Sequence, residues 1–131
     1  MSTTETPQNK TLLIVDDEEY VRDGLKAYFE KKGFVAHTAG SATQAWAVVT
    51  STKIDLIISD VRMDDGTGAD LVAQVATLDP GARPPVILVT GYSEMSNDEL
   101  LNLGAAIVVS KPFAKKELLE LVNKTLSSGA E

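Results

Sequence analysis

The chain is 131 residues long, carries a formal net charge of −7 and is 44% hydrophobic. That length suits one domain with a core of ordinary size, and an acidic balance with only 12 Lys and Arg argues against the clustered basic face that nucleic-acid phosphates require. The absence of Cys removes disulfides and thiolate metal sites, no apolar run approaches the roughly 20 residues of a membrane span, and the cytoplasm is the expected compartment.

Residues 1–9 are polar and read as a flexible tail without the apolar stretch of a signal peptide. Leu12-Leu13-Ile14-Val15 is the first of four apolar runs. Leu56-Ile57-Ile58, Val86-Ile87-Leu88-Val89 and Ala106-Ile107-Val108-Val109 follow, and each predicts a strand buried on both faces. After the first run, Val21, Leu25, Tyr28 and Phe29 have helical spacing, and Gly33 stands at the C′ position beyond a basic helix end. Phe34-Val35-Ala36-His37-Thr38 predicts a weaker fifth strand at the sheet edge. Ala42, Ala45, Trp46 and Val49 predict a second helix, opened by Ser41 and Gln44 at capping-box spacing, and Leu71, Val72, Val75 and Leu78 predict a third. Arg83-Pro84-Pro85 shapes the loop entering the next strand rather than offering a polyproline ligand. A short helix from about Ser96 to Leu103 begins at a second capping-box pair, Ser96 with Glu99, and Lys115 to Leu126 forms a last amphipathic helix. Strand alternates with helix throughout, and parallel strands need right-handed crossovers. The expected fold is therefore an open, doubly wound α/β sheet of five strands.

Such sheets place their ligands at the carboxyl ends of the strands. The polar residues directly after the apolar runs are Asp16-Asp17, Asp60, Thr90 with Gly91, and Lys111-Pro112. Two carboxylates about 4 Å apart repel by about 4 kcal/mol at an effective dielectric of 20, so a gathered acidic trio calls for a cation. With one His and no Cys, the available ligands are oxygens, which suit Mg²⁺ sharing itself with water and a phosphate. One carboxylate can then act as nucleophile and form an aspartyl-phosphate. Asp60 stands alone on its strand and is the better candidate; the adjacent Asp16 and Asp17 are better placed as ligands. Lys111 offers a compact positive charge to a phosphoryl oxygen, and the Thr90 hydroxyl offers a donor. Each residue alone has an ordinary explanation as a cap or turn; their joint occurrence at four strand ends, in this order, does not.

These residues resemble the receiver domain of bacterial two-component response regulators. The resemblance rests on Val15-Asp16-Asp17-Glu18, on Ile58-Ser59-Asp60-Val61-Arg62-Met63 through Gly68, on Val89-Thr90-Gly91, and on Gly104-Ala105 through Ser110-Lys111-Pro112-Phe113. It implies a flavodoxin-like (CheY-like) three-layer αβα fold with strand order 2-1-3-4-5, a tail over residues 1–9, a receiver domain over 10–128 and no output domain. It implies Asp60 as phosphoacceptor, assisted by Thr90 and Lys111, with Mg²⁺ held by Asp17, Asp60 and the Arg62 backbone carbonyl, Asp16 helping through water, and a cis Lys111-Pro112 bond. The implied partners are a histidine kinase or phosphotransfer protein and a downstream effector docking on the face of the last two helices, without direct contact to nucleic acid or membrane. A monomer and a phosphorylation-linked dimer both fit. Such a domain catalyses only its own phosphorylation and dephosphorylation and is not a turnover enzyme.

The chain departs from the family pattern at Asp64, where proline is usual, and at Val108, where an aromatic residue usually swings inward on phosphorylation. Arg62 and Tyr92 stand at positions that tune the lifetime of the phosphorylated state. Two other readings remain. A Mg²⁺-dependent phosphohydrolase with an Asp nucleophile would need a second Asp at position 62, which is Arg. A phosphorylation-independent receiver-like binding module would keep the pocket and lose the chemistry. His37 lies in an expected edge strand rather than on a bundle helix, Trp46 and Tyr28 have core spacing, and Lys26, Lys31 and Lys32 read as a solvated face.

Overall fold

The computed structural model describes residues 10–61, 68–91 and 96–129. The tail 1–9 and positions Arg62, Met63, Asp64 and Tyr92 lie outside the described residues. The chain alternates β1 (Thr11–Val15), α1 (Glu19–Lys31), β2 (Val35–Ala39), α2 (Ala42–Ser51), β3 (Leu56–Asp60), α3 (Gly68–Val75), β4 (Val86–Thr90), α4 (Asn97–Leu103), β5 (Ile107–Ser110) and α5 (Lys115–Gly129). All strand pairs are parallel, and the sheet order is β2-β1-β3-β4-β5. The expected doubly wound fold is thus the fold observed.

The period of two along each strand divides the core into two layers. Leu13, Val15, Ile57 and Leu88 face α2, α3 and α4, where they pack with Ala45, Leu71, Val72, Val75 and Leu100. Leu12, Ile14, Leu56, Ile58, Ile87 and Val89 face α1 and α5, where they meet Leu25, Phe29, Leu118 and Val122. Each strand of the central three therefore feeds both layers, which is why its sequence is an unbroken apolar run. Tyr28 and Trp46 sit half-buried against these layers as packing residues, Tyr28 edge-on to Phe29.

Several details differ from expectation. β5 is an edge strand whose Ile107, Val108 and Val109 are only half-buried, because among the described residues it pairs with β4 alone. α3 stops at Val75, and Leu78 lies in the turns that follow it. The Ser41 hydroxyl caps α2 by accepting from the Gln44 amide at 3.1 Å, but the Gln44 side chain accepts from the Gly40 amide instead of closing the box on Ser41. The Ser96–Glu99 box is complete. Gly33, with φ of 99°, occupies the left-handed conformation expected after α1. Pro84 is buried and the Pro85 carbonyl accepts from the Ile57 amide at 2.9 Å, so the diproline shapes the entry to β4. His37 is exposed on the edge strand β2, and Lys26 pairs with Glu30 across one helical turn. No described helix is long and apolar enough to cross a membrane.

Candidate functional site

Asp16 and Asp17 leave the end of β1 and Asp60 ends β3, the neighbouring strand. One carboxylate oxygen from each lies within 4.8 Å of the others. The Asp60 side chain, 11% exposed, accepts a hydrogen bond from Lys111 Nζ at 2.9 Å. Lys111 arrives from the end of β5, where its backbone amide donates to the Thr90 carbonyl at 2.8 Å and the Lys111–Pro112 peptide is cis. Gly91 flanks the lysine stem, and a Cβ there would make only ordinary van der Waals contact, 3.5 Å from Lys111 Cδ. Thr90, the last residue of β4, is buried beside Ser110 on the same rim.

Burial pushes the Asp16 carboxyl above its ordinary value; the Glu18 amide, which donates to Asp16 Oδ1 at 2.9 Å, works against this, and the charge of Asp60 adds to it. Burial also works to lower the Lys111 ammonium, but the hydrogen bond and charge of Asp60, with Asp16 and Glu18 behind, prevail and hold it above its ordinary value. Among the described residues, Lys111 partly offsets the three carboxylates. The donor set fits a hard divalent cation: it is all oxygen, converges within 4.8 Å and lacks any nitrogen or sulfur ligand among the described residues. Beneath it lies a small cavity of about 20 Å³, where Asp16, Asp60 and Lys111 sit over Ile14, Val21 and Phe113. A wider groove, about 950 Å³, opens at the opposite end of the sheet between Lys53, Arg83 and Thr125. It lies at the amino ends of the strands, away from the acidic cluster, and its size does not make it the site of chemistry.

Two glycines and one arginine not singled out for this role in the sequence shape the rim. Gly68 begins α3 so close to β3 that a Cβ would lie 2.6 Å from the Asp60 carbonyl oxygen and 2.8 Å from Leu88 Cδ2. Arg22 Nη1 donates to the Asp16 carbonyl at 2.7 Å, and Gly40 leaves space for that guanidinium. A single arginine serving a main-chain carbonyl carries no sequence signature. Of the residues expected at the site, Asp16, Asp17, Asp60 and Lys111 converge, Thr90 joins them through the Lys111 backbone, and Arg62 lies outside the described residues.

Residues 12–123 match the family model of the response regulator receiver domain. The chain is similar to sporulation initiation phosphotransferase F of Bacillus subtilis, with 32% identity over 119 residues covering 90% of this chain and 94% of that protein. It is also 31% identical over 118 residues to the phosphate regulon transcriptional regulatory protein PhoB of Pseudomonas aeruginosa, covering 89% of this chain and 52% of that one. The chain thus spans about half of the latter relative, and 25% of a third, regulatory protein AtoC of Escherichia coli. Among solved structures it superposes on a response regulator receiver domain protein (CheY-like) from Methanospirillum hungatei with a TM-score of 0.85 and 30% identity, covering 92% of this chain and 96% of that one.

Proposed function

The chain belongs to the response regulator receiver family of two-component systems, and from that premise we propose that it is a phosphoryl-operated switch whose acceptor is Asp60. The observation that carries this reading is the convergence of Asp16, Asp17 and Asp60 with Lys111 at the carboxyl edge of the sheet.

An Asp60 carboxylate oxygen attacks the phosphorus of a phosphohistidine on a histidine kinase or phosphotransfer protein; a P–O bond forms, the donor's P–N bond breaks, and the imidazole leaves with the electron pair. Lys111, which now donates to Asp60 Oδ2, is placed to follow the negative charge onto a phosphoryl oxygen. The Thr90 hydroxyl donates to another. Asp17, Asp60 and the Arg62 carbonyl would hold Mg²⁺, with Asp16 acting through water, and the ion supplies positive charge that offsets the carboxylates and the phosphoryl group. The domain, residues 10–128, catalyses its own modification and hydrolysis and no separate turnover, and it works in the cytoplasm as a monomer or a phosphorylation-linked dimer. Output runs through the α4–α5 side, where Leu101 and Leu103 are 42% and 40% exposed, and a few kcal/mol of preference between two packings suffices to switch it.

One observation favours the runner-up reading of a phosphorylation-independent binding module: Val108, half-buried against the α2–α4 layer, stands where the family's aromatic switch residue would move. Intact mass after incubation with acetyl phosphate and Mg²⁺ separates the two. The switch reading expects one added phosphoryl mass on the wild type, lost in Asp60→Asn and on chelation; the binding module expects Mg²⁺ binding with no mass gained.

A further inference from the structure

Arg22 ties three elements together next to the acidic cluster. It lies in the first turns of α1, where its amide and that of Val21 both donate to the Glu18 carbonyl at 3.1 Å. Its guanidinium reaches back across the β1–α1 junction to donate to the Asp16 carbonyl oxygen at 2.7 Å, in a partly buried position. On its other side stands Gly40, at the β2–α2 junction, where a Cβ would lie 3.0 Å from Arg22 Nη1 and 3.5 Å from Cζ. Gly40 is itself anchored, its amide donating to Gln44 Oε1 at 2.8 Å. Its φ is not positive, so the close approach of the guanidinium is what a side chain there would disturb.

The bond to Arg22 matters because of what the Asp16 carbonyl carries. Asp16 is fixed at its amide by the Ala39 carbonyl at 3.1 Å and at its carboxylate by the Glu18 amide at 2.9 Å. Asp17 is exposed, and no hydrogen bond among the described residues holds its carboxylate. The peptide between them is planar, so orienting the Asp16 carbonyl also orients the Asp17 amide and the direction in which the Asp17 side chain leaves the chain. We infer that Arg22 is a positioning residue for the cation site: by clamping the Asp16 carbonyl, in the space that Gly40 provides, it aims the otherwise unrestrained Asp17 carboxylate at Asp60. The inference rests on the reading above, in which Asp17 is a metal ligand. The guanidinium serves a neutral carbonyl, so it acts through direction rather than through charge.

The test is the Mg²⁺ dissociation constant of the full chain by calorimetry, for the wild type, Arg22→Ala, Gly40→Ala and the double variant, with amide hydrogen exchange of the metal-free proteins beside it. Each single variant weakens Mg²⁺ binding by about fivefold, the loss of one hydrogen bond's orientation. Because both changes break one contact, the double variant binds no more weakly than Arg22→Ala. Exchange at the Glu18 amide, which donates to Asp16 Oδ1, quickens in all three variants while Ile57 and Ile58 in β3 exchange as before, and Arg22→Lys recovers part of the affinity. Wild-type affinity in Arg22→Ala overturns the inference alone, as does a loss accompanied by faster exchange throughout the sheet, which would mark a general stability effect. A wild type that binds no Mg²⁺ overturns the functional reading and the inference with it.

Discussion

Asp16 is the most confined of the three carboxylates at the site, 5% exposed and held above its ordinary value first by burial and then by the charge of Asp60. A carboxyl whose folded value is raised contributes stability that is fully present below its unfolded value, in the ordinary carboxylate range, and lost as pH rises through the folded value. At neutral pH and without metal, the ionised Asp16 therefore works against the fold. Asp16→Asn keeps an oxygen for the Glu18 amide and removes the charge, so in metal-free buffer it raises the melting temperature at pH 7, and the gain fades as pH falls toward 4. Melting curves across that range check this; a gain independent of pH would trace to packing instead of charge. Lys111 carries the opposite charge. Lys111→Ala slows phosphoryl uptake by roughly 100-fold, as expected for loss of a charge aimed at a developing anion, while Mg²⁺ binding holds or tightens because a competing cation is gone. Stopped-flow phosphorylation and calorimetry measure the two separately, and a parallel fall in both would reduce Lys111 to a structural pairing.

At the scale of elements, the site depends on how closely α3 approaches the end of β3. Gly68→Ala would drive a methyl into the Asp60 carbonyl oxygen at 2.6 Å and Leu88 at 2.8 Å, and overpacking of this kind costs about 1–3 kcal/mol. Urea denaturation measures the loss; an unchanged midpoint would mean that α3 moves away at no cost. α4 has only seven residues and one complete capping box, so Ser96→Ala costs about 1 kcal/mol and quickens amide exchange within α4 before it affects the sheet. Legibility in the sequence followed the same elements. The runs Leu12 to Val15, Leu56 to Ile58 and Val86 to Val89 were readable as strands because alternate residues feed separate layers and leave no polar gap. The run Ala106 to Val109 looks the same on paper, yet β5 is half-exposed, because burial of an edge strand depends on what lies beyond it and its own residues do not say. The early stop of α3 and the diversion of Gln44 to Gly40 are likewise choices made by tertiary neighbours.

For the whole molecule, the doubly wound topology brings residues distant in the chain to one edge, as in the Lys111–Asp60 bond across 51 positions. The strand-end rule points to Asp16, Asp17, Asp60 and Lys111, which the fold brings together, and to Thr90, whose main-chain carbonyl accepts from the Lys111 amide. Arg22 and Gly40 escaped because they act on backbone, where residue type carries little signal. A cation that binds the folded chain alone stabilises it by mass action, about 2.7 kcal/mol at one hundred times its dissociation constant, so Mg²⁺ raises the melting temperature of the wild type and raises that of Asp60→Asn less. We propose that Asp60 itself becomes the acyl phosphate. The most direct test is to treat the protein with acetyl phosphate and Mg²⁺, reduce the product with borohydride, which converts a phosphorylated aspartate to homoserine, and map the modified residue by tandem mass spectrometry. Homoserine is expected at position 60 and at no other; homoserine at position 16 or 17, or none at all after reaction within seconds, overturns Asp60 as the acceptor.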